Sequence, residues 1–329
     1  MRVISYDRFG PAEEVLELGE MPVPAPEAGE VLVRLSHSGV NPSDAKARAG
    51  GRPGVTEPAF PRIIPHSDGA GVIEAVGDGV EAARVGEPVW IWNGQWQRAF
   101  GTAAEYIALP SDQAVTRPEG MSAEVGATLG IPGLTAAHVV FGGGDVAGKV
   151  LLISGGAGAV GHNAVQLAKW GGATVIATCS PGATARVRAA GADHVLDYSA
   201  PDLAAQIMEA TGGRGVDRAL EVEFGRNAAL LAEVLRPNGT VAAYGSAKEM
   251  TPVLPFGPYL FKAITIDIVL IYLLAAPERQ LAIDRLHGAL AAGAFTPAIH
   301  ARYPLEQAAA AQDAVMTPGR AGAVLLEIG

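Results

Sequence analysis

One stretch, residues 150–180, constrains the fold more than any other part of the chain. Its apolar run, Val150 to Ile153, leads into Gly156-Ala157-Gly158-Ala159-Val160-Gly161, which fits G-x-G-x-x-G. Apolar residues at helical spacing follow, Val160, Ala164, Leu167 and Ala168, and then a β-branched run at 174–178. Strand, glycine turn, helix and strand in this order make the unit that binds a dinucleotide. Gly156 permits the tight turn, Gly158 lets the backbone approach a pyrophosphate, and Gly161 lets helix and strand pack closely. The phosphates then face the unpaired N–H groups at the positive end of the helix. A chain with 42 glycines produces this spacing by chance, so the flanking strand and helix carry the reading.

The end of the second strand separates two cofactors. A free ribose 2′-OH is usually held by an Asp or Glu roughly 20 residues on. Here the strand closes on Ala177-Thr178-Cys179-Ser180 without an acid, and the next charged residues are Arg186 and Arg188. An acid would repel a 2′-phosphate, whereas the Ser180 hydroxyl and the Arg186 guanidinium would bind it. The segment therefore predicts NADPH rather than NADH.

Length and composition narrow the alternatives. A chain of 329 residues buries a large core and makes two domains. Its formal net charge of −10 argues against nucleic acid or an anionic membrane as partner, since both need clustered Lys and Arg. The single Cys179 excludes an internal disulfide and a multi-cysteine zinc site. The opening MRVISYDRFG lacks the apolar core of a signal peptide, and the longest apolar run, 263–276, is too short to span a bilayer and contains Asp267. The expectation is a soluble, cytoplasmic protein.

Residues 1–122 read mainly as β, with short runs at 31–35, 71–76, 88–92 and 104–109 between Gly and Pro. Helices are expected from a Ser122 cap and over 135–141. From Val150 the texture alternates. Strands are expected at 150–154, 174–179, 194–197, 216–222, 240–245 and 264–272, with helices at 159–170, 181–190, 201–211 and 226–236. That pattern predicts an α/β Rossmann fold, a doubly wound parallel sheet over 123–272. Residues 273–329, two helices and a final strand, are expected to return to the N-terminal β unit, giving a second domain of 1–122 and 273–329.

At this point the chain resembles the medium-chain dehydrogenase/reductase superfamily, and within it the zinc-free quinone oxidoreductases related to zeta-crystallin. The resemblance runs the whole length. It is carried by Ser38-Gly39-Val40-Asn41-Pro42-Ser43-Asp44, Pro65-His66-Ser67-Asp68-Gly69-Ala70-Gly71, residues 99–106, Gly130-Ile131-Pro132-Gly133-Leu134-Thr135 and the glycine motif. It implies a GroES-like, mainly β catalytic domain beside the Rossmann domain. Zinc-dependent members carry a cysteine where this chain has Asn41 and a Gly-His-Glu motif where it has His66-Ser67-Asp68, so no metal is expected and His66 is read as a loop residue. The resemblance also implies further cofactor contacts. Thr135 would lie near the nicotinamide, Tyr198 near the adenosine ribose or 2′-phosphate, and Gly245 and Ser246 under the nicotinamide half, with Asn41 a further cofactor-binding candidate. Lys46 stands where the family often has a tyrosine facing the substrate. Pro318 stands where some members carry a C-terminal arginine for the 2′-phosphate, and Arg320 nearby is the candidate substitute.

NADPH would supply the hydride, so the protein's task is positioning, water exclusion and electrostatics. The acceptor must be electron-poor and planar, a quinone or an α,β-unsaturated carbonyl. Asn41 and Lys46 are the candidate donors to the developing oxyanion. Trp96, beside Gly94, is the pocket candidate for stacking, while Trp90 and Trp92 are equally well explained as strand packing. Tyr272 completes the pocket candidates. No Ser-His-Asp spacing, H-E-x-x-H or G-x-S-x-G is present, so hydrolase readings fail. The sequence thus predicts a homodimeric, zinc-independent NADPH:quinone oxidoreductase. The alternatives are an NADPH-dependent reductase of activated C=C bonds and, from another class, a non-catalytic cofactor-sensing or RNA-binding protein. The dimer is expected to form through the edge strand 264–272.

Overall fold

The structure is a computed structural model and describes residues 1–51 and 54–329. Its strands, in chain order, are β1 (Arg2–Ser5), β2 (Glu17–Glu20), β3 (Glu30–Val40), β4 (Asp68–Val76), β5 (Pro88–Ile91), β6 (Tyr106–Pro110) and β7 (Ala114–Thr116). There follow β8 (Val150–Ile153), β9 (Thr174–Cys179), β10 (His194–Asp197), β11 (Val216–Glu221), β12 (Leu235–Ala243), β13 (Thr265–Ile268), β14 (Ile299–Pro304) and β15 (Ala323–Glu327). The chain forms two compact units, Met1–Ile131 with Pro297–Gly329, and Pro132–Thr296.

The second unit is the Rossmann domain. Six parallel strands lie in the order β10-β9-β8-β11-β12-β13. Numbered from β8, this is the 3-2-1-4-5-6 order of a doubly wound sheet, with a crevice where the order reverses between β8 and β11. The helix Ala159–Trp170 follows the glycine turn as the sequence predicts. Its inner face buries Gly161, Ala164, Val165, Leu167 and Ala168, and it stops at Gly171 and a left-handed Gly172. Leu152, Ile176, Ala219 and Val241 from four adjacent strands fill the core against Ala228, Leu231 and Ile207 from the helices.

The first unit is the GroES-like β domain. β3, eleven residues long, is its spine. One edge pairs with β4; along its length β3 also pairs with β6 through its first half and β15 through its second. β5, β7 and β14 extend the sheet. Val31, Val33, Leu35, Ile73, Val89, Ile107 and Leu326 close its core. β14 and β15 return to this unit, whereas residues 273–296, read together with them from sequence, lie in the other.

Two strands and the division into units differ from expectation. The strand read at 264–272 ends at Ile268. Val269 N–H still donates to Ala243 O at 2.8 Å, but Ala243 is the last residue of β12. With no partner left, the chain turns through a 3-10 segment, Ile271–Leu273. The run 240–245 begins earlier, at Leu235. The compact units divide at 131/132 and 296/297, whereas the sequence texture changes at 122/123 and 272/273. The helix Ala123–Gly126 packs on β4 and β5, and the helix Ala276–Ala291 packs on the helix Leu134–Phe141.

Candidate active site

In the Rossmann unit the carboxyl ends of the central strands gather most of the predicted cofactor residues. The turn after β8 is closed by Gly156 N–H donating to Thr178 O of β9 at 2.8 Å. A Cβ on Gly156 would meet Ala177 Cβ at 3.0 Å, and one on Gly161 would meet Gly155 O at 2.2 Å, so chain packing alone accounts for both. Gly158 is different. A Cβ there would meet only Gly155 O, at 3.4 Å, and its φ of −73° with ψ of 167° suits any residue. Nothing in the fold demands a glycine at 158, while a ligand seated over the turn would. Gly158 caps the helix Ala159–Trp170 with no side-chain hydrogen bond, which leaves the first-turn N–H groups of Ala159 and Val160 for an anion.

Where the sequence suggests a 2′-phosphate, one cation, Arg186, and one acid, Asp197, flank the end of β9. Arg186 Nη2 donates to Ala157 O at 2.6 Å, which draws the guanidinium over the glycine turn. Ser180 follows β9 directly and caps the short turn Pro181–Ala183. Tyr198 N–H donates to Cys179 O at 3.3 Å, and the ring is 60% exposed, free to face a ribose. Gly245 lies against Val222, where a Cβ would meet Val222 O at 2.6 Å, and Gly155 borders the Val222 side chain. Ser246 Oγ accepts from Gly225 N–H at 2.8 Å. Thr135 is buried in the first turn of the helix Leu134–Phe141, and Tyr272 sits in the turn after β13.

Sequence reasoning missed Glu221, which ends β11 in this crevice. It is buried, accepts from Glu223 N–H at 2.6 Å and from Asn227 Nδ2 at 3.0 Å, and burial raises its pKa. It fixes the loop after β11.

In the β unit, Asn41 follows the last residue of β3 and caps the helix Pro42–Arg48. Its N–H donates to Asp44 Oδ2 at 2.8 Å, and its amide Nδ2 donates to Asp68 Oδ2 at 2.8 Å. Asp44 and Asp68 are both buried. Burial pushes the Asp44 carboxyl up to about 7 and the Asp68 carboxyl well above its usual range. Asp68 Oδ1 is buried without a hydrogen-bond partner, and Gly130 makes room for it, since a Cβ there would lie 2.2 Å from that oxygen. The Asn41-x-x-Asp44 spacing before a helix was a readable capping pattern. Nothing in the sequence distinguished Asp68 from a solvated acid.

His66 is more than a loop residue. It has a left-handed φ of 76°, is fully buried, and uses both ring nitrogens, Nδ1 with Ser38 Oγ at 3.0 Å and Nε2 with Gln312 Nε2 at 3.2 Å. Desolvation lowers its pKa to about 3. Zinc does not fit here: a neutral amide, Asn41, stands where a thiolate ligand would be, and both ring nitrogens of His66 are already hydrogen-bonded. Trp90 and Trp92 are buried, and Trp92 Nε1 donates to Asp112 O, which bears out strand packing. Trp96 is half-buried in the turn after β5 and Lys46 is exposed on its helix. Arg320 is engaged within the β unit, donating to Val315 O and Gly322 O.

Residues 27–119 match the alcohol dehydrogenase GroES-like domain, and residues 159–287 match the zinc-binding dehydrogenase family. The quinone oxidoreductase of Rattus norvegicus is 31% identical over 99% of this chain and 97% of its own. The chain belongs to the quinone oxidoreductase family of the medium-chain dehydrogenase/reductases. Among solved structures, a Pseudomonas syringae quinone oxidoreductase superposes with a TM-score of 0.87 at 29% identity, covering 99% of both chains. A mycobacterial protein solved in complex with NADPH superposes with a TM-score of 0.86 at 28% identity, covering all of both chains.

Proposed function

We propose that this protein is an NADPH-dependent, zinc-independent quinone oxidoreductase. The observation that carries the reading is Gly158, a glycine at which the fold tolerates a side chain but a pyrophosphate would not. The end of β9 supports NADPH: the strand itself ends without a carboxylate, the neighbouring Asp197 of β10 turns its Oδ1 to Ser199, and Arg186 is drawn over the turn. Bound NADPH supplies the hydride; the residues of this chain hold it and receive the product charge. The Gly156–Gly161 turn and the helix N-terminus bind the pyrophosphate. Ser180, Arg186 and Tyr198 hold the adenosine end, with Arg320 as a further candidate, and Thr135, Gly245 and Ser246 border the nicotinamide half. Asn41, oriented by Asp68, offers its amide to the cofactor or to the acceptor oxygen as charge develops. Lys46, Trp96 and Tyr272 are assigned to the acceptor.

The reading extends to a cytoplasmic homodimer. No helix among the described residues is long and apolar enough to cross a membrane. Around β13 the surface is apolar: Phe256, Phe261, Ile268 and Leu273 are 65%, 89%, 71% and 66% exposed. Such a patch beside a free sheet edge favours pairing with a second copy. The substrate assignment is tested with NADPH and a panel of quinones and enones. Quinone turnover well above enone turnover is expected. Faster enone reduction would move the protein to the C=C reductases.

A further inference from the structure

We propose that His37, Glu124 and Glu327 form a binding site for a divalent transition-metal ion of the zinc class, on the β unit and apart from the residues assigned to hydride transfer. Three elements build it. His37 on β3 and Glu327 on β15 are direct partners in the antiparallel ladder, so their side chains leave the same face of the sheet side by side. Glu124 reaches them from the first turn of the helix Ala123–Gly126. One ligand atom from each of the three lies within 4.8 Å of the others. Ligands of a tetrahedral zinc ion sit about 3.3 Å apart, given metal–ligand bonds of about 2 Å, so modest side-chain rotation closes the set.

The histidine is prepared for this use. Its Nδ1 is hydrogen-bonded to Ser36 Oγ at 3.0 Å, which orients the ring and leaves Nε2 for the ion. One imidazole, two carboxylates and water suit zinc, cobalt or nickel. The smaller, harder magnesium ion prefers an all-oxygen set.

The charges around His37 are Glu124, Glu327, Arg302 and Arg117. Arg302 is the built-in rival, because its Nε and Nη2 hold both Glu124 oxygens at 2.5 and 3.0 Å. An incoming ion must draw Glu124 partly away from Arg302. The site is therefore an exchangeable one, and removing the guanidinium frees a ligand.

The test is calorimetric titration of chelator-treated, full-length protein with Zn²⁺ at neutral pH, with Mg²⁺ as the control. One zinc per chain at micromolar affinity is expected, with no magnesium uptake. His37→Ala and Glu327→Gln should each weaken zinc binding by at least about tenfold, the scale on which even outer-shell partners act. Arg302→Met should tighten it several-fold. Circular dichroism confirms that each variant is folded; Glu327 is exposed, so its variant keeps the test available should His37→Ala misfold. Absence of saturable zinc uptake by the parent protein overturns the proposal. So does uptake unchanged in both His37→Ala and Glu327→Gln, which would place the ion elsewhere, or uptake weakened by Arg302→Met.

Discussion

At the scale of single residues, the three glycines of the motif separate into two kinds. A side chain at Gly161 would collide with Gly155 O, so Gly161→Val should fail to fold. Gly158→Val meets no such obstacle and has permitted backbone angles. It should keep the parent circular dichroism spectrum and melting temperature yet lose NADPH binding in a fluorescence titration. Normal NADPH binding by this variant would reduce the motif to a turn. Asp44 makes a different prediction. Its carboxyl is raised from 3.8 to about 7 by burial, so the folded chain keeps a proton that the unfolded chain releases above about pH 4. Stability from this group is complete below the unfolded value and is lost as pH rises through about 7. Asp44→Asn keeps an acceptor for the Asn41 N–H and carries no charge. Its stability relative to the parent, from urea unfolding, should therefore improve steadily between pH 4 and 7. A constant difference across that window would mean that Asp44 ionises normally.

At the scale of elements, what the sequence made legible was periodicity. The helix Ala159–Trp170 and the strands β8, β9 and β10 lie where spacing and β-branching place them. Lengths set by a partner were not legible. β13 is short because β12 ends at Ala243, a fact about a neighbouring strand rather than about residues 264–272. The buried acids Asp68 and Glu221 were hidden for a related reason: only the fold shows that an acid is enclosed and who bonds it. The ladder also decides how to test the edge. Val269 N–H is spent on Ala243, so proline at 269 would break the sheet from within. By alternation along the strand, Ile268 N–H faces the open edge. Ile268→Pro should spare the monomer fold while weakening self-association. An unchanged dimer would place the interface elsewhere.

At the scale of the whole molecule, the β unit carries Asn41, Lys46 and Trp96, and the Rossmann unit carries the glycine turn, Arg186 and Tyr198. Sedimentation velocity at micromolar concentration should show a dimer, as the exposed Phe256, Phe261, Ile268 and Leu273 require cover. A clean monomer would remove β13 as an interface. The central claim is hydride supply from NADPH without zinc, and one assay addresses it. Chelator-dialysed protein is given a quinone and either NADPH or NADH, and nucleotide oxidation is followed at 340 nm. The account predicts undiminished turnover with NADPH, and a kcat/KM at least about tenfold higher than with NADH, the worth of one charge-assisted hydrogen bond. Arg186→Ala should narrow that gap. Equal use of the two nucleotides, or activity that vanishes on chelation and returns with added zinc, would contradict it.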